Sequence, residues 1–190
     1  MQARPRLAHF VLQTNQLPVL RAWYMKVLGA HVVYENPAMC FLTFDDEHHR
    51  IALFGPPGNV MTDRTPLTIG MAHSAFTFDN LGELVDKYLE LKQAGIEPRV
   101  PVQHGVTTSL YYRDPDGNMV ELQIDNFATP DEATDYMRGA EYGADPIGPS
   151  FDADALAREF KAGTPVATLT TRAWAKTTPQ VNPFELLTTV

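Results

Sequence analysis

A chain of 190 residues and 21.2 kDa can bury a core as one domain or as two small modules that share one, and two independent domains are not expected. A formal net charge of −8, a pI near 5.1 and the lack of any Lys/Arg cluster argue against a phosphate-tracking surface, so nucleic acid is excluded as an expected partner. Cys40 is the single cysteine, Met1 opens into polar sequence without a targeting segment, and no apolar run approaches the roughly 20 residues of a membrane span, so no membrane is expected and a cytoplasmic location is.

Leu7 to Gln13 reads as a strand that sets His9 among Ala8, Phe10, Val11 and Leu12. From Leu17 to Leu28 the residues Leu17, Leu20, Trp23, Tyr24, Val27 and Leu28 recur at helical spacing, and Gly29 stands where the helix stops. Three short strands follow, His31 to Glu35, Cys40 to Asp45 and His49 to Phe54, divided by Asn36-Pro37 and Asp45-Asp46-Glu47. The order is βαβββ. Gly55-Pro56-Pro57-Gly58 opens a turn-rich stretch to Pro66 that reads as a linker.

The pattern then begins again. Met71 to Phe78 is a strand with Ala72-His73 in the place of Ala8-His9, an offset of 64 residues (73 − 9). Asn80 or Asp79 caps a helix from Leu81 to Ala94, with Leu84, Tyr88 and Leu91 on one stripe and Gly95 as the stop. Strands at Pro98 to Val102, Thr107 to Arg113 and Met119 to Ile124 complete a second βαβββ unit. Neither small unit can bury its sheet alone, so the expected fold is α+β: two tandem modules, about 6–57 and 69–126, forming one domain over 1–127 and closing around a metal-binding cleft. Residues 128–190 read as a C-terminal helical extension and arm. Helix signals lie at Thr129-Pro130-Asp131-Glu132 and from Ser150 to Phe160, and Thr164 to Val190 shows no periodicity. Phe151, Leu156 and Phe160 need cover from the modules or from a partner subunit, so a homo-oligomer, a dimer or larger, is expected.

Chemistry concentrates between His104 and Asp125. Asp114-Pro115-Asp116-Gly117-Asn118 is a tight turn between two extended runs, and Met119, Glu121 and Gln123 share one face of the second. A carboxylate in mid-strand is costly to bury without a cation or metal, although an exposed strand face is the alternative. His9 and His73 occupy equivalent places in the two repeats, and with Glu121 they make two imidazoles and one carboxylate. Such a set holds a divalent ion by one side and leaves the other open, as in non-haem Fe(II) oxygenases. His49, His104 and Tyr111 are the remaining candidates, able to move substrate protons beside a metal. A solvated His48-His49 pair, a surface turn at His104-Gly105 and a half-buried Tyr111 are the plainer readings. His31 and His48 read as structural, and Cys40 as a small core hydrophobe.

These residues carry a resemblance. Paired βαβββ units with Ala8-His9, Ala72-His73 and the run from Tyr111 to Glu121 resemble the vicinal oxygen chelate superfamily. Within it, His104-Gly105-Val106-Thr107, the Tyr111 to Asn118 hairpin and Glu121 ten residues after Tyr111 are similar to the one-domain type I extradiol ring-cleaving dioxygenases, which act on catechols and biphenyl-2,3-diols. The resemblance implies His9, His73 and Glu121 as ligands of Fe(II), with Mn(II) as the other ion, and His49, His104 and Tyr111 as catalytic and substrate-binding residues. It implies a catechol-type substrate and O2. His104 and Tyr111 would position the catecholate and handle its hydroxyl proton, and His49 would act on the oxygen side. Two rivals share the fold: a metal-dependent glyoxalase-like isomerase or lyase, which typically adds a glutamate on the matching strand of the first module, and a non-catalytic module that binds aromatic compounds. His49 to Phe54 contains no acid.

Overall fold

The computed structural model describes residues 4–58 and 60–189, so Met1 and the last residue of the expected arm, Val190, lie outside the described residues. The chain divides into two compact units, Met1–Arg64 with Asp114–Asp116, and Thr65–Arg113 with Gly117–Val190.

The first unit contains β1 (Phe10–Gln13), α1 (Leu17–Leu28), β2 (His31–Asn36), β3 (Met39–Thr43) and β4 (Ile51–Phe54). Its sheet runs β1-β4-β3-β2, with β1 parallel to β4 and the other pairs antiparallel. The α1 stripe buries Leu17, Leu20, Tyr24 and Val27 over β3 and β4, where Leu42, Ile51 and Leu53 are fully buried. Each such side chain contributes about 1.5–3 kcal/mol of transfer free energy. Gly29 ends α1 in the left-handed region at φ 65°. The buried Tyr24 hydroxyl donates to Asp114 Oδ2 at 3.0 Å, and Gln16 donates to the Pro115 carbonyl at 3.0 Å. Cys40 is fully buried and its thiol pushed up to about 11 by desolvation, which makes it the inert core residue its neighbours suggest.

The second unit repeats the arrangement. It holds β5 (His73–Thr77), α2 (Leu81–Gln93), β6 (Val100–Gln103), β7 (Thr107–Arg113) and β8 (Met119–Asp125) in the sheet order β5-β8-β7-β6, again with the first and last strands parallel. The Asn80 side chain accepts from Glu83 N at 3.0 Å as the cap of α2. The two registers correspond: Val11 pairs with Ala52 in the first unit, and Ala75, 64 residues after Val11 (75 − 11), pairs with Glu121 in the second. Ala52 therefore stands where the second unit has Glu121.

Among the described residues six short helices follow: α3 (Pro130–Met137), α4 (Ala140–Ala144), α5 (Ala153–Lys161), α6 (Val166–Leu169), α7 (Arg172–Ala175) and α8 (Pro183–Thr188). Thr129 and Glu132 form a reciprocal capping box on α3. Helix α5 docks on α2, where Phe160 lies beside Gly82 and Tyr88 donates to Asp154 at 2.8 Å. Phe151 and Leu156, which need cover, find it within this unit. The expected arm is not one: Leu169, Trp174 and Ala175 are buried, and Leu186 and Leu187 pack against Val100, Val102, Tyr111 and Met119. Helices of four to six residues are too short to show a period and take their stability from such packing. Among the described residues no helix is long and apolar enough to cross a membrane.

Candidate active site

In the second unit, β7 and β8 pair Tyr111 directly with Glu121, so both side chains stand on one face. Glu121 is 4% exposed, which decides against an open strand face. Its Oε2 lies 3.1 Å from His73 Nε2, its Oε1 3.9 Å from His104 Nε2, and the Ser109 hydroxyl is also hydrogen-bonded to it. Burial alone would raise the Glu121 carboxyl, but the hydrogen bonds from His73 and Ser109 outweigh it and hold the group below the usual glutamate value. The same bond raises His73 above the ordinary histidine value against the opposing effect of its partial burial. Here is a buried anion with an imidazole beside it, the first half of the donor set expected for a metal.

His104 lies between β6 and β7, and Nε2 is 2.9 Å from the Tyr111 hydroxyl. The adjacent Glu121 and the Ile147 backbone act on the ring in the opposite sense to burial, favouring its charged form. Burial holds the imidazole below the ordinary value and so keeps it neutral. Burial and the adjacent Glu121 push the Tyr111 hydroxyl upward, so it stays a donor, with Glu121 and His104 as competing acceptors for one proton. Gly105, at φ 90°, follows His104, and a Cβ there would stand 2.3 Å from the Tyr136 hydroxyl oxygen, so only glycine fits.

In the first unit His9 stands one residue before β1, outside the strand expected to contain it, and His49 lies in the loop ahead of β4. Arg50 explains the first difference: Nη1 donates to the Leu7 carbonyl at 2.6 Å and the Ala8 carbonyl at 3.1 Å, and Nε to Asp45 at 2.8 Å. A side chain thus takes the carbonyls that a ladder would use. The His9 and His49 ring centroids are 4.2 Å apart, and Phe41 stacks on His49 at 4.7 Å with 14° between planes. Desolvation, and then the neighbouring His9 and His48, hold His49 below the ordinary histidine value. These rings, with Val11, Met39, Ala52 and Phe54, line a cavity of about 180 Å³ whose walls are mostly apolar.

Among the described residues no three His, Cys, Asp or Glu side chains are clustered as a metal site. The structure brings His73, His104, Tyr111 and Glu121 together in one unit and His9 and His49 in the other. The donor types fit a first-row divalent ion, since imidazole nitrogen and carboxylate oxygen suit Fe and Mn. Sequence reasoning missed Ser109, Arg50 and Phe41. Ser109 was within reach of it, two residues before Tyr111 and so on the same strand face, whereas Arg50 and Phe41 carry no signal without the tertiary contacts.

The chain is similar to several known proteins. The chain is 71% identical over 189 residues to biphenyl-2,3-diol 1,2-dioxygenase 3 of Rhodococcus globerulus, which covers 100% of each chain. It is 59% identical over 190 residues to biphenyl-2,3-diol 1,2-dioxygenase 2 of the same organism, covering 99% of this chain and 100% of the relative. The solved lactoylglutathione lyase of Agrobacterium tumefaciens, 22% identical, superposes with a TM-score of 0.52 over 65% of this chain and 96% of its own, a likeness of fold. Residues 6–122 match the model of one family, and with them two βαβββ units of identical strand order are accounted for: the chain belongs to the Glyoxalase/Bleomycin resistance protein/Dioxygenase superfamily.

Proposed function

We propose that this protein is an extradiol dioxygenase of aromatic catabolism, which opens a catechol-type ring next to its vicinal diol with O2 and Fe(II), or Mn(II) in its place. The observation that carries the reading is Ala52: at the register position where the second unit has Glu121, the first has a methyl group. One carboxylate and two histidines, His9, His73 and Glu121, then make up the ligand set, and the second glutamate typical of the glyoxalase-like isomerases has no counterpart. The names of the relatives at 71% and 59% identity support the substrate class.

The metal, when bound, supplies chelation of both diol oxygens on its open side and a site for O2. The chain supplies placement and protons. Tyr111 donates its hydroxyl hydrogen bond to a catecholate oxygen, and neutral His104, accepting at Nε2, takes up the substrate hydroxyl proton. His49, fixed by Phe41, would donate an N–H hydrogen bond on the oxygen side. In the first unit, Val11, Met39 and Phe41 give the cavity beside His49 an apolar wall. The product is a muconic semialdehyde-type acid that retains both atoms of O2.

The test is anaerobic reconstitution with Fe(II), addition of catechol, 3-methylcatechol and 2,3-dihydroxybiphenyl in turn, then oxygen, with visible absorbance recorded. A yellow product with matched O2 uptake is expected. Iron-loaded protein that consumes no oxygen with any diol would overturn the reading and turn attention to Zn²⁺- or Ni²⁺-dependent isomerisation of thiol adducts. A cytoplasmic location and a homo-oligomeric state belong to the same proposal, and sedimentation as a monomer at micromolar concentration would remove the latter.

A further inference from the structure

Arg172 begins α7, fifty residues beyond the last residue matched by the superfamily model (172 − 122), yet its guanidinium reaches the candidate site. Nη2 donates to the carbonyl oxygen of His104. The guanidinium carbon lies 5.9 Å from the Tyr136 ring centroid and 5.6 Å from that of Tyr142, so two aromatic faces clasp it. Tyr136 is held in turn by Glu141, to which its hydroxyl donates at 3.0 Å. Arg172 is 5% exposed, and its Nε is buried without a hydrogen-bond partner in the protein. Gly148, whose Cβ would lie 2.1 Å from the Gln103 carbonyl oxygen and 3.4 Å from Arg172 Nε, lets the chain close over this arrangement.

A buried guanidinium with an unsatisfied nitrogen is an expensive way to stabilise a fold, because an uncharged donor could anchor one carbonyl at lower desolvation cost. What the arrangement secures is the location of one peptide, that of His104, whose imidazole is 2.9 Å from Tyr111. Its two neighbours cannot substitute for it: Gly105 has no side chain, and Gln103 is committed to Thr108 at 2.7 Å and to Asn126 at 2.8 Å.

We propose that Arg172 is a positioning residue for His104, through which the C-terminal extension sets the proton-accepting imidazole against Tyr111. The proposal rests on the dioxygenase reading for its activity readout only. It predicts that Arg172→Met lowers kcat for 2,3-dihydroxybiphenyl by about ten- to a hundredfold while KM and bound iron stay near wild type, since a misplacement of about 1 Å can cost that much. In a His104→Gln background the same substitution should cost less than about threefold, because a residue that acts through His104 has nothing left to act on. An equal loss in both backgrounds, or no loss in either, would overturn it. Arg172→Lys, which keeps the charge between the tyrosines but lacks the fork, takes the place of Arg172→Met if that variant does not fold. If the wild type opens no diol, the dioxygenase reading fails by itself, and the imidazole ¹⁵N shifts of His104 decide this proposal. They should move between wild type and the Arg172 variant, and unchanged shifts would reject it.

Discussion

His73 reaches diagonally across a parallel ladder to Glu121. His73 is paired with Met119 and Ala75 with Glu121, yet the His73 Nε2 to Glu121 Oε2 distance is 3.1 Å. A parallel register brings residues two positions apart on neighbouring strands within reach of long side chains, so an imidazole at the start of β5 and a carboxylate inside β8 can serve one ion.

If that pair belongs to the ligand set, Glu121→Ala and His9→Ala each abolish metal retention and turnover together. His104→Phe retains the metal and loses rate by about 10²–10⁴, the usual worth of a general acid–base group. Metal analysis of the purified variants beside their O2 uptake distinguishes the two behaviours. Retention of a full complement of iron by His9→Ala would remove it from the set.

Ser109 touches Glu121 without being a ligand candidate. Outer partners that orient a ligating carboxylate are worth about ten- to a hundredfold in metal affinity. Ser109→Ala should therefore weaken Fe(II) binding by that factor in an anaerobic titration, with kcat restored at saturating iron.

The Tyr24 hydroxyl meets a buried carboxylate, Asp114, which is 4% exposed. Removing a donor from a charged, buried acceptor costs about 1.5–3 kcal/mol. Tyr24→Phe is expected to lower the urea midpoint accordingly with an unchanged m-value, since it opens no cavity in α1.

Asp154 joins α5 to α2 by accepting from Lys92 and Tyr88. Lys92 and then Tyr88 hold its carboxyl below the ordinary value of 3.8, so its contribution is complete above that value and disappears as pH falls through the depressed one. Lys92 is raised above 10.5 by the same partner, and its contribution is lost as pH rises beyond that. Asp154→Asn should lower Tm between about pH 4 and pH 10, and the difference from wild type should shrink as pH falls through the depressed carboxyl value. A Tm difference that does not shrink there would assign the effect to packing.

Much of the architecture was legible because it rests on local rules. Leu17, Leu20, Tyr24 and Val27 on α1 and Leu84, Tyr88 and Leu91 on α2 follow helical periodicity, glycines stop both helices, and the Asp114 to Asn118 turn ties β7 to β8 as its residues dictate. The recurrence of Ala-His at an offset of 64 residues announced the repeat before any strand was placed. Strand limits were less legible. Arg50 removes Leu7 and Ala8 from the ladder through a side chain distant in sequence, and no pattern around His9 records it.

By itself, then, the sequence determined the α+β class, the tandem βαβββ order and the residue types available for a metal and for proton transfer, since each follows from periodicity, turn chemistry and repetition along the chain. The tertiary structure decided what depends on partners far apart in sequence. Glu121 is a buried anion because His73 and Ser109 surround it, whereas strand alternation allows either face. Ala52 is the register equivalent of Glu121 only once both ladders are aligned. Helix α8 packs on the second unit because Val100, Tyr111 and Met119 offer an apolar surface to Leu186 and Leu187. Arg172 meets the His104 carbonyl across 68 residues of chain, a contact made by closure of the fold that no local pattern encodes.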